Sequence, residues 1–185
     1  MAVKLDVGLT HKEKFEKTLK LLEYADNKII YKEFKGREML LMPRDSFTNI
    51  IKSSMETVGI ERTGTILYNA GFRVGYQYAK FLCEYLKIKG EGVLGLFLKG
   101  ASARGWGKWE VEEYTQKRIK IRGENTIGED FKNTKMCVNW FDAGAMAGII
   151  KYALESVGKS KSVYAKETKC IANGSKYCEI EVRVG

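Results

Sequence analysis

Two residue types are nearly missing from this chain. It carries one proline and one histidine in 185 residues. With a single proline and no low-complexity tract, no linker or domain boundary is marked. The lone histidine, His11, falls at an exposed helix start, so neither a histidine general base nor a histidine-rich metal site is expected. The first ten residues are too short and too charged for a secretory h-region. No apolar run approaches the roughly 20 residues that a bilayer span requires. The expected localisation is therefore cytoplasmic, with no membrane span, and there cysteines are more often reduced, metal-bound or catalytic than disulfide-linked. A dinucleotide fingerprint is also missing. Gly105, Trp106 and Gly107 form no phosphate loop, because no Lys-Ser/Thr follows. Catalytic residues are accordingly expected to be none.

What is present is ordinary globular composition and an excess of basic residues. Thirty-two Lys and Arg against 23 Asp and Glu give a net charge of +9. The basic residues are spread along the chain with acids between them. The densest group, Lys117 to Arg122, alternates as a strand with one charged face. A solvated face is the better reading, and no nucleic-acid partner is expected.

Periodicity predicts an amphipathic helix over His11 to Tyr24, capped by Thr10, then two short strands at Ile29 to Phe34 and Glu38 to Met42. Pro43 to Ser46 reads as a helix start, with Phe47, Ile50, Ile51, Met55 and Val58 as the buried stripe up to Gly59. A second helix runs from about Arg62 to Leu86, with Gly71, Gly75 and Ala79 on one face. Glycine there costs roughly 1 kcal/mol against alanine, so close approach of another element or of a ligand must offset it. Cys83, on the same helix, reads as a core thiol. Gly92 to Gly100 is a short apolar run, a strand or a continued hydrophobic element, and Ala101 to Gly107 is a flexible loop. Trp109 to Thr115 and Gln116 to Arg122 read as strands, and Asn125 to Lys135 as a polar excursion. Phe141 to Val157 is a helix that repeats the small-residue face with Gly144 and Gly148. The two faces can meet each other or form a dimer interface. A hairpin beginning at Val163 ends the chain. The order predicts an α+β domain, an antiparallel sheet packed against helices.

The terminal hairpin carries Cys170 and Cys178 on either side of an Asn173-Gly174 turn, with Glu167 three residues before the first cysteine. Cys137 is the remaining candidate. Zinc takes four ligands, with thiolates and a carboxylate allowed. Residues three apart on a flat strand face opposite sides, so Glu167 and Cys170 converge only across a bulge. Cys-x7-Cys is not a common finger spacing. The spacing alone leaves open zinc, a cross-strand disulfide, or two inert thiols. Three thiolates and a carboxylate would leave no place for a catalytic water, which makes any such site structural.

Together, Gly105-Trp106-Gly107, Trp109, Cys137, the Gly144/Gly148 helix and the terminal Glu167-x2-Cys170-x7-Cys178 motif resemble the 4-vinyl reductase (4VR) domain family. That family occurs in stand-alone archaeal proteins and in aromatic-sensing transcriptional regulators. The resemblance covers roughly residues 37 to 184, and the Gly71/Gly75 helix shares it. It implies a fold shared with trafficking-complex (TRAPP) subunits and NO-signalling ligand-binding domains, and a small-molecule pocket. It also implies zinc bound by the terminal Glu, Cys and Cys plus one cysteine ahead of the Gly-x3-Gly helix. Glu167, Cys170 and Cys178 match by position. The family's first cysteine falls where this chain has Asn139, and Cys137 lies two residues earlier. On a strand, a shift of two keeps the same face.

The expectation is thus one 4VR-like domain over residues 1–185, with residues 1–36 a helical extension. Its function would be to bind a hydrophobic or aromatic small molecule as sensor or carrier, with structural zinc on Cys137, Glu167, Cys170 and Cys178. Phe72, Tyr76, Trp106, Trp109, Trp140 and Phe141 are the candidate ligand contacts, the small-residue faces leaving room for a flat ligand. The alternatives are a reductase or accessory protein acting on a tetrapyrrole vinyl group, and a homodimeric interaction module.

Overall fold

The computed structural model describes Lys20 and residues 22–31 and 37–185. The expected helix from His11 lies mostly outside them. Its last three positions differ from expectation: Leu22–Ala25 is a strand, β1, closed by a turn at Asp26 and Asn27, both at positive φ. Asp and Asn tolerate that region better than most residues, and Tyr24 Oη donates to Asn27 Oδ1 at 3.1 Å. The strands β2 (Lys28–Tyr31) and β3 (Arg37–Met39) complete an antiparallel three-stranded sheet in the order β1-β2-β3. This sheet belongs to the first of two compact units, residues 1–43 and 44–185.

The second unit begins with α1 (Arg44–Val58) and α2 (Ile60–Tyr85). The expected stripe of α1 is only partly inward: Ile51 is buried, whereas Ile50 and Val58 are exposed. The apolar run expected as a strand or continued hydrophobic element is a helix, α3 (Glu91–Ala103), which takes in the start of the expected loop. Its apolar residues Val93, Leu94, Leu98 and Ala101 are buried at helical, not alternating, spacing. Four strands follow: β4 (Lys108–Tyr114), β5 (Arg118–Glu124), β6 (Val163–Lys169) and β7 (Cys178–Val184). They form one antiparallel sheet in the order β4-β5-β7-β6. Between β5 and β6 the chain makes a 3-10 turn over Ile127–Phe131 and the helix α4 (Trp140–Glu155).

The alternation read in β5 holds. Ile119, Ile121 and Gly123 are buried while Arg118 and Arg122 point outward and pair with Glu113 and Glu124, at 2.8 and 2.7 Å. Ile119, Ile121, Ile180, Val182 and Ala165 give the sheet its apolar face. The helix α4 is buried on nearly every side, from Asp142 to Ile150 without interruption, as expected of a helix that is apolar all round.

That burial is made possible by the glycines. A Cβ on Gly71 would sit 2.0 Å from the carbonyl oxygen of Phe141, and one on Gly75 2.0 Å from that of Ala145. Reciprocally, a Cβ on Gly144 would meet Tyr68 O at 2.0 Å and one on Gly148 would meet Phe72 O at 2.1 Å. The helices α2 and α4 therefore touch backbone to backbone. This corrects the idea that the small-residue faces leave room for a flat ligand: each face is filled by the other helix. Among the described residues, no helix is long and apolar enough to cross a membrane.

Candidate metal centre

The cysteine hairpin is not a simple Asn-Gly loop. After Lys169 the chain passes through Cys170 and a 3-10 turn over Ile171–Asn173, and Gly174 then takes the left-handed conformation at φ 87°. The pairing of β6 with β7 shifts register between Glu167 and Lys169. That irregularity is what the convergence of Glu167 and Cys170 required, since it turns two positions of opposite parity toward one side. One ligand atom from each of Glu167, Cys170 and Cys178 lies within 4.8 Å of the others, and the two cysteines are fully buried. The Cys178 thiol donates to Cys170 Sγ across 3.8 Å, and no disulfide joins them.

Two other segments close the cluster. The stretch before α4 supplies Asn139, whose backbone N–H donates to Glu167 Oε2 at 2.9 Å. Its side-chain Nδ2 points at Glu167 Oε1, at Cys178 Sγ (3.2 Å) and at Cys170 Sγ (3.7 Å). The 3-10 turn lies over the other side. Thr126 Oγ1 is 3.2 Å from Cys178 Sγ and accepts the N–H of Gly128. A Cβ on Gly128 would meet Cys170 Sγ, Asn139 Nδ2 and Cys178 Sγ at 3.1 to 3.2 Å, so the glycine leaves a cradle beside the sulfurs. Arg44 and Thr48 at the start of α1 hold this turn in place. Arg44 Nε and Thr48 Oγ1 each donate to Asp130 Oδ2 at 2.8 Å, and Arg44 also binds the carbonyls of Asn125 and Thr126.

The electrostatics favour a cation. Burial pushes the Glu167 carboxyl up, against hydrogen bonds from Cys170 and Asn139. Asp142, in the first turn of α4, is raised well above its ordinary value by burial and by the neighbouring Glu167 and Cys178. The hydrogen bond with Cys137, then burial, pushes Cys170 up to about 12. Cys178 is raised further, chiefly by its hydrogen bond to Cys170. Groups of one sign that all resist ionisation when crowded together are the groups a divalent ion would stabilise. Among the described residues, one buried side-chain polar atom, Asn139 Oδ1, has no hydrogen-bond partner. The residues fit a metal: two buried thiols, a carboxylate, an unpartnered oxygen and a glycine cradle.

Cys137 lies close by but differently. It is half-buried in irregular backbone between the 3-10 turn and α4, not on a strand, so the same-face argument made from its two-residue shift does not apply. It shares a hydrogen bond with Cys170, which holds its own pKa down. It is not within the mutually close group. Asn139, Gly128 and Thr126 were not picked out as site residues from the sequence. For Asn139 the signal was present: it occupies the position at which the resembled family places its first cysteine.

The six aromatic candidates do not share one site. Trp106 and Phe141 stack at 5.1 Å between centroids, and Phe47 of α1 meets them edge-on at 5.4 and 6.1 Å. All three are half-buried. The Trp140 ring covers Gly64, filling the space a Cβ would take at 3.1 Å. Trp109 is a core residue, its ring over Gly123 and its Nε1 donating to Trp106 O at 2.9 Å. Phe72 and Tyr76 stack on one another along α2, and Tyr76 Oη donates to Glu155 Oε2 at 2.6 Å. Cys83 is buried, as expected of a core thiol.

Comparison with known proteins supports the fold. A family model described as a domain of unknown function (DUF5943) matches residues 22–112. No curated protein matches the chain. Among solved structures, the phenol-responsive sensory domain of the transcription activator PoxR, crystallised with phenol, superposes with a TM-score of 0.76. The sequences are 16% identical, and the match covers 96% of this chain and 91% of that one. A vinyl-4-reductase family protein from Methanocaldococcus jannaschii gives a TM-score of 0.54 at 17% identity, over 80% of this chain and 84% of that one. An H-NOX protein from S. oneidensis gives 0.54 at 9% identity, over 94% and 89%. The chain has the mixed α+β fold of these sensor and reductase-family domains, an antiparallel sheet packed against helices.

Proposed function

We propose that this chain is a zinc-containing small-molecule-binding domain of the 4-vinyl reductase type, a sensor or carrier for a hydrophobic or aromatic ligand in the cytoplasm. The observation that carries the reading is the junction at the start of α4. Asn139 faces the Glu167, Cys170 and Cys178 cluster, and two residues later Phe141 stacks in the aromatic group with Trp106 and Phe47. A metal at the cluster would tie the hairpin to this junction, and so fix the position of Phe141. Glu167, Cys170 and Cys178 would hold the ion, with a residue of the segment before α4 completing the set. Cys137 and Asn139 are the two that reach the cluster. A metal held this way supplies structure: it cross-links the sheet to α4 and adds its binding energy to folding. The half-buried rings offer an apolar, flat contact of the kind such ligands use.

The test has two arms. Metal quantification on purified protein should give one zinc per chain, lost in Cys178→Ser. Calorimetric titration with phenol as the aromatic probe should show binding that Trp106→Ala weakens. Protein without zinc, or phenol heats identical in wild type and Trp106→Ala, would defeat the corresponding half of the reading.

A homodimeric role has one observation in its favour. Ile50, Ile60 and Ile66 on α1 and α2 are about half exposed, at 50, 48 and 58%. Light scattering that reports a monomer at high concentration would dismiss it.

A further inference from the structure

We infer that the fourth metal ligand is Asn139, through its side-chain oxygen, and that Cys137 stays outside the coordination set. The inference rests on the metal reading above. It starts from an imbalance of hydrogen bonds. An amide nitrogen has two hydrogens, but Asn139 Nδ2 faces three acceptors: Glu167 Oε1, Cys178 Sγ and Cys170 Sγ. On the same side chain, Oδ1 is buried with no partner among the described residues. Leaving a buried acceptor unpaired costs on the order of 1–3 kcal/mol, and native interiors seldom tolerate it.

Both irregularities have one remedy. The point toward which the three ligand atoms converge is where a cation would sit, and Nδ2 takes a cation's place there. Turning the amide by half a rotation about its last bond exchanges nitrogen for oxygen. Drawn back by about 2 Å, the length of a zinc–oxygen bond, Oδ1 then becomes a donor to the ion, beside one carboxylate oxygen and two thiolates. The backbone at this position is held on both sides: Asn139 N donates to Glu167 Oε2 at 2.9 Å and its carbonyl accepts the N–H of Ala143 at 2.9 Å. The resulting set is four donors, two sulfurs and two oxygens, the number that zinc takes. Cys137, by contrast, is connected to the cluster through Cys170. Its hydrogen bond goes to Cys170, and it is not among the three residues whose ligand atoms lie within 4.8 Å of one another.

The test is cobalt(II) substitution in the full-length protein, because the intensity of the thiolate-to-cobalt charge-transfer band counts the sulfurs bound. Wild type should show two thiolates, and Cys137→Ser should leave band and affinity unchanged. Asn139→Ala should weaken cobalt binding about tenfold or more, as loss of a ligand or its orienting partner does. Asn139→Cys should raise the band by about half, from two sulfurs to three, a gain that requires position 139 to reach the metal. If Asn139→Ala does not fold, Asn139→Asp and Asn139→Cys carry the test: cobalt spectra identical to wild type in both would overturn the proposal. A three-thiolate wild-type band that falls by about a third in Cys137→Ser would make Cys137 the ligand, overturning the proposal but leaving the metal reading intact. No cobalt or zinc binding by wild type would overturn both.

Discussion

The seam between α2 and α4 and the cluster beside the hairpin are neighbours, with Asn139 five residues ahead of Gly144, and they are built on opposite principles. At the seam everything is complete. Four glycines bring two backbones together so closely that a single methyl group at any of them would lie about 2 Å from a carbonyl oxygen. At the cluster things are unfinished: thiols and carboxyls that resist ionisation, an oxygen without a partner, and a cradle at Gly128. The seam tolerates no addition and the cluster calls for one. Small residues thus signify different things in the two regions, and only the neighbouring atoms distinguish them.

That contrast can be broken or sharpened by experiment. The largest effect is expected from metal removal. Chelation should lower the stability measured by urea unfolding by about 4 kcal/mol relative to protein with zinc a thousandfold above its Kd, and Cys178→Ser should already lack that increment. A chelator-insensitive unfolding curve would mean that the cluster is complete by itself. Next is Gly75→Ala or Gly144→Ala, each expected to cost about 3 kcal/mol or more, because the obstacle is backbone and cannot rotate away. Tolerance of both would show that the helices are not truly in contact.

A third prediction concerns pH. In the metal-free protein Glu167 and Asp142 hold their protons to higher pH than in the unfolded chain. The folded state then binds more protons in that window, so stability should fall as pH rises from about 4 through it. Zinc should oppose that fall, and more so toward neutral pH as protons leave the ligands. Thermal melts of both forms across this range would show the two curves diverging, and parallel curves would separate the carboxyls from the metal. Smaller still, Trp106→Ala should weaken phenol binding by about tenfold, the worth of one stacked ring. Last, Gly95→Ala in α3 should stabilise the fold by roughly 1 kcal/mol, since nothing lies within 4 Å of the added Cβ. A loss there would mean that the α2/α4 seam is not special among the glycines.

Much of the second unit was legible from periodicity. Both long helices, α2 and α4, and strands β4 to β7 lie where spacing placed them, because each buries a continuous face and its pattern is long. The run at Gly92 to Gly100 misled, since a short apolar stretch with three glycines has no period to separate strand from helix. The end of the first expected helix became β1, where a turn at Asp26 and Asn27 outweighed a weak amphipathic pattern. The need for an irregularity between Glu167 and Cys170 was readable from parity alone, and the register shift is there. The scattering of the six aromatics was not readable, since composition says nothing about which rings share a wall.

By itself, the sequence determined the α+β class, the two glycine-faced helices and the terminal trio Glu167, Cys170 and Cys178. These depend on local spacing, and spacing is preserved when a chain folds. Only the tertiary structure decided that the glycine faces close on each other, and that Asn139 and Gly128 lie against the sulfurs of the cluster. Those outcomes depend on atoms far apart in the chain coming within a few ångströms of each other. No pattern along one segment records what another segment will bring to it.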